Sequence, residues 1–255
     1  MARWVRFLHD GREAFGRLDG DTIAVHEGDL FANPRATGAT AALASVKLLT
    51  PTKPTKMIAL WNNFRALAAK LNQAIPPEPL YLLKAPNAFL AHGETIRKPA
   101  SYDGKVVYEG ELGIVIGKRC KAVSEAEAPS FIFGYTCIND VTAAEIIAKD
   151  PTFAQWVRSK SFDTFGVFGP AVATGLDPAT LTVKLVLAGQ ERQNYPVSDM
   201  IFPPAAIVAR LSQDMTLEPG DVICCGTSIG VGSMKPGSDV EVTIEGIGTL
   251  SNRYE

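Results

Sequence analysis

Two glutamates two residues apart, Glu109 and Glu111, stand in the segment Tyr108-Glu109-Gly110-Glu111-Leu112-Gly113-Ile114-Val115-Ile116-Gly117. Read as a strand, this segment sends Glu109, Glu111 and Gly113 to one face and Leu112, Ile114 and Ile116 to the other. The second face suits a core. On the first, two carboxylates repel each other, and burying them unpaired is costly. Either that face is solvated, or it serves a hard divalent cation, which needs clustered oxygen ligands. Gly113 would then let a ligand or a backbone approach closely.

The other ligand-type residues do not compete. The histidines, His9, His26 and His92, are too scattered for a zinc signature. Cys120, Cys137, Cys224 and Cys225 form no Cys-x-x-Cys pair, and the adjacent two would point to opposite faces of a strand. Buried reduced thiols are the expectation. A metal, if bound, is therefore held by carboxylates. Asp140 follows a predicted strand over residues 131–138, where it fits the N-cap of a helix over 141–149.

These residues need a scaffold, and 255 residues can bury one large core with a small appendage. A hydrophobic content of 46% and a charged content of 20% are those of a globular protein. The net charge of −2 offers no footprint for nucleic acid or an anionic membrane. No apolar run reaches spanning length and the N-terminus lacks a signal-peptide core, so a cytoplasmic location is expected. Residues 2–8, 12–18 and 21–26 read as strands joined by Asp10-Gly11 and Asp19-Gly20 turns, and 29–45 as a linker or loosely packed cover. A boundary near residue 50 separates a small β unit (1–50) from the remainder (51–255). There, strands are predicted over 56–61, 81–84, 182–187, 222–225, 240–244 and 248–253. Helices are predicted over 64–73, capped by Asn62 or Asn63, and over 203–212. Strands dominate without a βαβα alternation, which gives an α+β, mainly β class rather than a doubly wound sheet.

In order along the chain come Lys84-Ala85-Pro86, the two-glutamate segment, Gly134-Tyr135-Thr136, Asn139-Asp140-Val141-Thr142, Trp156 to Lys160, Ser161-Phe162-Asp163-Thr164-Phe165, Gly169-Pro170, Leu217 to Asp221 and Gly226-Thr227. This order resembles the fumarylacetoacetate hydrolase family over residues 50–255. Residues 1–50 are similar to the small β domain preceding it in bacterial members. The resemblance implies a mixed β-sandwich roll of the family's C-terminal-domain type, a homodimer, and Mg²⁺ or Mn²⁺ held by Glu109, Glu111 and Asp140. It also implies a 2-oxo acid or diketo acid substrate. By the same resemblance Lys160 supports enolate charge, Gly226 and Thr227 lie where the substrate's far oxygens are contacted, and Lys84 is near the substrate or structural.

The departures bear on the reaction. Many members carry Asn-Tyr-x-x-His-x-x-Glu on a lid helix, where the His–Glu pair handles water. Here the stretch is Asn63-Phe64-Arg65-Ala66-Leu67-Ala68-Ala69-Lys70, and leucine transfers no proton. Where the family often has Thr-Ala-Arg followed by Gln, this chain has Thr142-Ala143-Ala144 and Ile147, which implies a more apolar pocket. His92, or less readily Lys70, is a candidate replacement base. Family habit points to hydrolysis of a C–C bond in an acylpyruvate-like or 1,3-diketo acid. The missing pair points instead to 2-oxo acid decarboxylation or keto–enol isomerisation, or to a metal-binding protein without turnover.

Overall fold

The computed structural model describes residues 1–255. Its spine is the strand Ile132–Asp140, flanked antiparallel by Gly110–Ile116 on one side and Gly166–Thr174 on the other. Beyond Gly110–Ile116 lie Val222–Cys224, then Met57–Trp61 parallel to it, then Leu80–Lys84 at the edge. Beyond Gly166–Thr174 come Ala2–His9, Arg12–Asp19, Thr22–Glu27 and Arg35–Ala42. The N-terminal strands thus extend the large sheet, while Val5, Phe7, Ile23 and their neighbours form a small core of their own. The predicted linker contains the strand Arg35–Ala42. It is exposed apart from Ala41, as expected of an edge strand of Ala, Thr and Gly.

A second sheet, Gln190–Pro196, Thr182–Leu187, Ser238–Ile244, Gly248–Tyr254 and Thr95–Ile96, faces the first. Leu112 and Ile114 of one sheet and Val183, Leu185, Val242 and Leu250 of the other belong to one apolar core. The helix Pro204–Asp214 closes that core with Ile207, Val208 and Leu211. A smaller core, including Val115, Ile138 and Cys224, lies on the opposite face of the large sheet. All four cysteines are buried and free, and Cys224 and Cys225 enter different cores, as opposite faces require. The fold is mainly β, with both parallel and antiparallel pairs. No helix is long and apolar enough to cross a membrane.

Four local expectations are corrected. The helix at 64–73 spans only Arg65–Lys70, and neither Asn62 nor Asn63 caps it. Its Ala66 amide donates to Asp199 Oδ2 at 3.0 Å, while the buried Asn63 donates to the Cys225 carbonyl at 2.8 Å. The helix at 141–149 shrinks to Ala144–Ile147, because Thr142–Ala143 is drawn into a three-stranded sheet with Val106–Tyr108 and Gly232–Ser233. Gly169-Pro170, where the sequence predicts the end of a dense polar-aromatic segment that begins at Trp156, lies within the strand Gly166–Thr174. The pairing register breaks opposite it, between Tyr135 and Cys137, where a proline costs no ladder bond. Finally, Gly113 makes room for no ligand: a Cβ there would lie 2.7 Å from Ile138 Cδ1, so the glycine admits that side chain.

Candidate metal centre

Register assembles the acids. Gly110 pairs with Asn139 and Glu111 with Ile138, which sets Glu109 across from Asp140 on the face that also carries Glu111. The Asp140 amide donates to the Glu109 carbonyl at 2.8 Å, and the Glu109 amide donates to Asn139 Oδ1 at 3.1 Å. One carboxylate oxygen from each of Glu109, Glu111 and Asp140 lies within 4.8 Å of the others. The solvated reading of this face is overturned, since Glu111 and Asp140 are fully buried and only Glu109 keeps some exposure. Asp140 is no helix cap: its carboxylate binds Lys84 Nζ and, at 2.5 Å, Lys160 Nζ.

Lys160, at the end of the helix Trp156–Lys160, also donates to Glu109 Oε2 at 2.7 Å. Burial alone would favour its neutral form, but the carboxylates of Asp140, Glu109 and Glu111 outweigh it and hold the ammonium above its ordinary pKa. Burial would likewise raise Asp140, yet the Lys160 and Lys84 ammoniums hold it below the usual carboxylate range. Glu111 goes the other way, pushed well above that range by burial and then by the Asp140 charge. Its Oε2 accepts from the Gly226 amide at 2.8 Å, while Oε1 is buried without a partner. Three carboxylates against two ammoniums leave one negative charge unmatched. A divalent cation fits: it would engage the orphaned oxygen and the excess charge, and an all-oxygen donor set suits Mg²⁺ or Mn²⁺.

A second layer holds this cluster, and the sequence reading missed it. Gln193 is buried on the facing sheet; its Oε1 accepts from the Gly110 amide at 2.9 Å and its Nε2 donates to Thr227 Oγ1 at 2.8 Å. Thr227 in turn donates to the Gly110 carbonyl at 3.0 Å, which also accepts from Tyr195. Thr142 Oγ1 donates to Glu109 Oε1 at 2.9 Å. The available signal was the alternation in Gln190–Pro196, where the two buried positions, Gln193 and Tyr195, are both polar-tipped.

A sequence profile described as fumarylacetoacetate (FAA) hydrolase C-terminal matches residues 56–255. The chain belongs to the fumarylacetoacetate hydrolase family. A second profile, Rv2993c-like N-terminal, matches residues 2–51. The crystal structure of 2-hydroxyhepta-2,4-diene-1,7-dioate isomerase from Mycobacterium marinum superposes with a TM-score of 0.91 at 37% identity, covering 100% of this chain and 98% of that one. Maleylpyruvate hydrolase from Sphingobium sp. SYK-6, in complex with manganese(II) and pyruvate, superposes at 0.81 with 29% identity, over 99% and 98%. Oxaloacetate tautomerase YisK of Bacillus subtilis is 35% identical over 225 residues, 83% of this chain and 74% of its own.

Within this family fold, the acid cluster opens through Glu109, Lys160, Thr142 and Thr227 into a cavity of about 370 Å³. Leu67, Lys70, Ala144 and Ile147, the positions where this chain departs from the family pattern, all lie on its wall. Three of the residues named from the sequence lie off the cavity wall, Lys84 taking a structural place and Gly226 and His92 lying away from the expected contacts. Lys84 is buried behind Asp140, between its carboxylate and the Val141 carbonyl, off the cavity wall. Gly226 holds Glu111 through its amide rather than facing the cavity. His92 is not brought to the site: its Nδ1 accepts from the Ser251 amide at 3.0 Å beside the strand Gly248–Tyr254, and it does not line the cavity.

Proposed function

We propose that this protein is a divalent-metal-dependent isomerase that interconverts the keto and enol forms of a 2-oxo acid. The carrying observation is the cavity wall. Beside Glu109 it presents no histidine and no second carboxylate, and Leu67 occupies the place of the family's lid histidine. A water there has no group to take its proton, so attack on a carbonyl lacks its base. Keto–enol exchange needs charge stabilisation at the 2-oxygen and a carrier that takes the acidified proton from C3 and returns it, a part that solvent water on the open side can fill, but no nucleophilic water. The names of two relatives, a tautomerase and a diene-dioate isomerase, agree with this reading.

Glu109, Glu111 and Asp140 would hold Mg²⁺ or Mn²⁺, which when bound supplies Lewis acidity toward the enolate oxygen. Lys160 spends two N–H bonds on Glu109 and Asp140 and keeps a third for a substrate oxygen. With its proton held between carboxylates, it acts as a fixed positive charge. Lys84 orients Asp140 from behind, and the Gln193–Thr227 pair fixes the glycine-rich loop. The proton exchanged at C3 leaves to and returns from solvent water on the open side, where the exposed Lys70 stands.

The test is deuterium exchange at C3 of a 2-oxo acid in D₂O, followed by NMR with metal-loaded and EDTA-treated protein. Metal-dependent exchange above the background rate, without new carboxylic acids, supports the proposal. C–C bond hydrolysis of an acylpyruvate is the second reading, favoured by the likeness to maleylpyruvate hydrolase. Two acids formed from an acylpyruvate, with no exchange, would replace the isomerase by that reading.

A further inference from the structure

We infer that the substrate carries an apolar tail and no second carboxylate. This rests on the 2-oxo acid reading above and names the class of acid. The cavity's charged and hydrogen-bonding groups are concentrated at the acid cluster. Away from it the wall is Leu60, Leu67, Leu82, Ile147, Trp156 and Val231. Trp61 and Trp156 meet there with ring centroids 5.1 Å apart, giving a broad half-buried aromatic surface. Leu71, also on the wall, is 46% exposed, so the apolar lining continues outward to solvent.

A distal carboxylate would have to shed its water against these groups, and that is expensive without a partner. Besides Glu109, five polar side chains line the wall, and two of them, Thr142 and Thr227, already donate their hydroxyls to Glu109 and to the Gly110 carbonyl. Lys160 already gives two bonds to Glu109 and Asp140. Asn62 donates its side-chain amide to the Ala74 carbonyl at 2.9 Å. Lys70 is exposed, and an exposed ammonium stabilises an ion pair only weakly. An alkyl or aryl tail, in contrast, gains from every wall residue it covers. A 2-oxo acid of this class has no β-carboxylate to lose, so the inference also selects isomerisation over decarboxylation.

The experiment compares two ligands of one shape, 5-methyl-2-oxohexanoate and 2-oxoglutarate, whose tails end in an isopropyl group and a carboxylate. Both are titrated calorimetrically into Mg²⁺-loaded protein, with pyruvate and oxalate as ligands that have only the chelating end. The expected result is binding of 5-methyl-2-oxohexanoate about tenfold or more tighter than 2-oxoglutarate. In Ala144→Arg, which sets a cation on the wall, that ratio should narrow or invert. Equal or tighter binding of 2-oxoglutarate by the unaltered protein, with pyruvate or oxalate still bound, overturns the apolar-tail inference alone. Failure of pyruvate and oxalate to bind overturns the 2-oxo acid reading, and the inference with it.

Discussion

Replacing Glu111 by Gln isolates the charge that the metal reading requires. The substitution keeps the size of the side chain, and the Gln carbonyl can still accept from the Gly226 amide. It removes the negative charge that two lysines leave unmatched and that burial makes costly. With free Mg²⁺ or Mn²⁺ at a hundred times its Kd, the unaltered protein gains about 2.7 kcal/mol. For a chain of this size each kcal/mol moves Tm by about 2–4 °C, so the cation should raise Tm by roughly 5–10 °C. In Glu111→Gln the rise should fall below about 1 °C at the same cation concentration. Without metal the variant should be at least as stable as the parent. The metal-free parent must either protonate Glu111 or bury it as an unpaired carboxylate, whereas the amide's new N–H₂ costs about 1–3 kcal/mol if unsatisfied. Differential scanning calorimetry with and without EDTA measures both. A variant that keeps the full cation-dependent shift, or a parent that shows none, refutes the assignment of the three acids.

Other perturbations probe the supporting groups. Lys160→Met should lower turnover about a hundredfold or more while cation binding is retained or tightened, since a competing ammonium leaves the carboxylates; calorimetry and exchange assays separate the two. Gln193→Ala orphans the Gly110 amide and frees Thr227, so unfolding free energy should fall by about 1–3 kcal/mol in urea titrations, with kcat reduced more than KM is raised. His92 gives a pH test. Burial holds its pKa below the ordinary value, so the unfolded chain takes up a proton first as pH falls. Its stabilising contribution is complete above about pH 6.5 and is lost as pH drops from there through the folded-state pKa. His92→Asn, whose side-chain carbonyl can replace Nδ1 as acceptor for Ser251, should flatten that part of the urea-midpoint profile and leave turnover at pH 8 unchanged.

Most strands were legible because one face of each is apolar, and alternation marks them without tertiary knowledge. Val5 and Phe7, or Val183 and Leu185, are such pairs. The misses come where tertiary pairing overrides a local signal. Thr142–Ala143 gives up helix to pair with Val106–Tyr108, and Pro170 enters a strand because its partner strand is irregular there. Lys160, which pins two of the acids, lies in a helix that the sequence did not mark, Trp156–Lys160.

The acid site shows why alternation stops short of function. It establishes that Glu109 and Glu111 share a face, but not whether that face is covered, because the cover belongs to another part of the chain. Here Lys84, the helix Trp156–Lys160 and the glycine-rich loop supply it, and they turn a pair that reads as surface into a buried, charged cluster. The strand Gln190–Pro196 of the facing sheet carries its own mark, since Gln193 and Tyr195 occupy inward positions where an ordinary core strand would place aliphatic residues. Polar side chains at inward positions need a partner, and Gln193 and Tyr195 find theirs on the Gly110 amide and carbonyl. Gln193 thus reaches not the glutamate side chains but the Gly110 backbone between them, and holds the strand from one face while Lys160 and the Gly226 amide hold its carboxylates on the other.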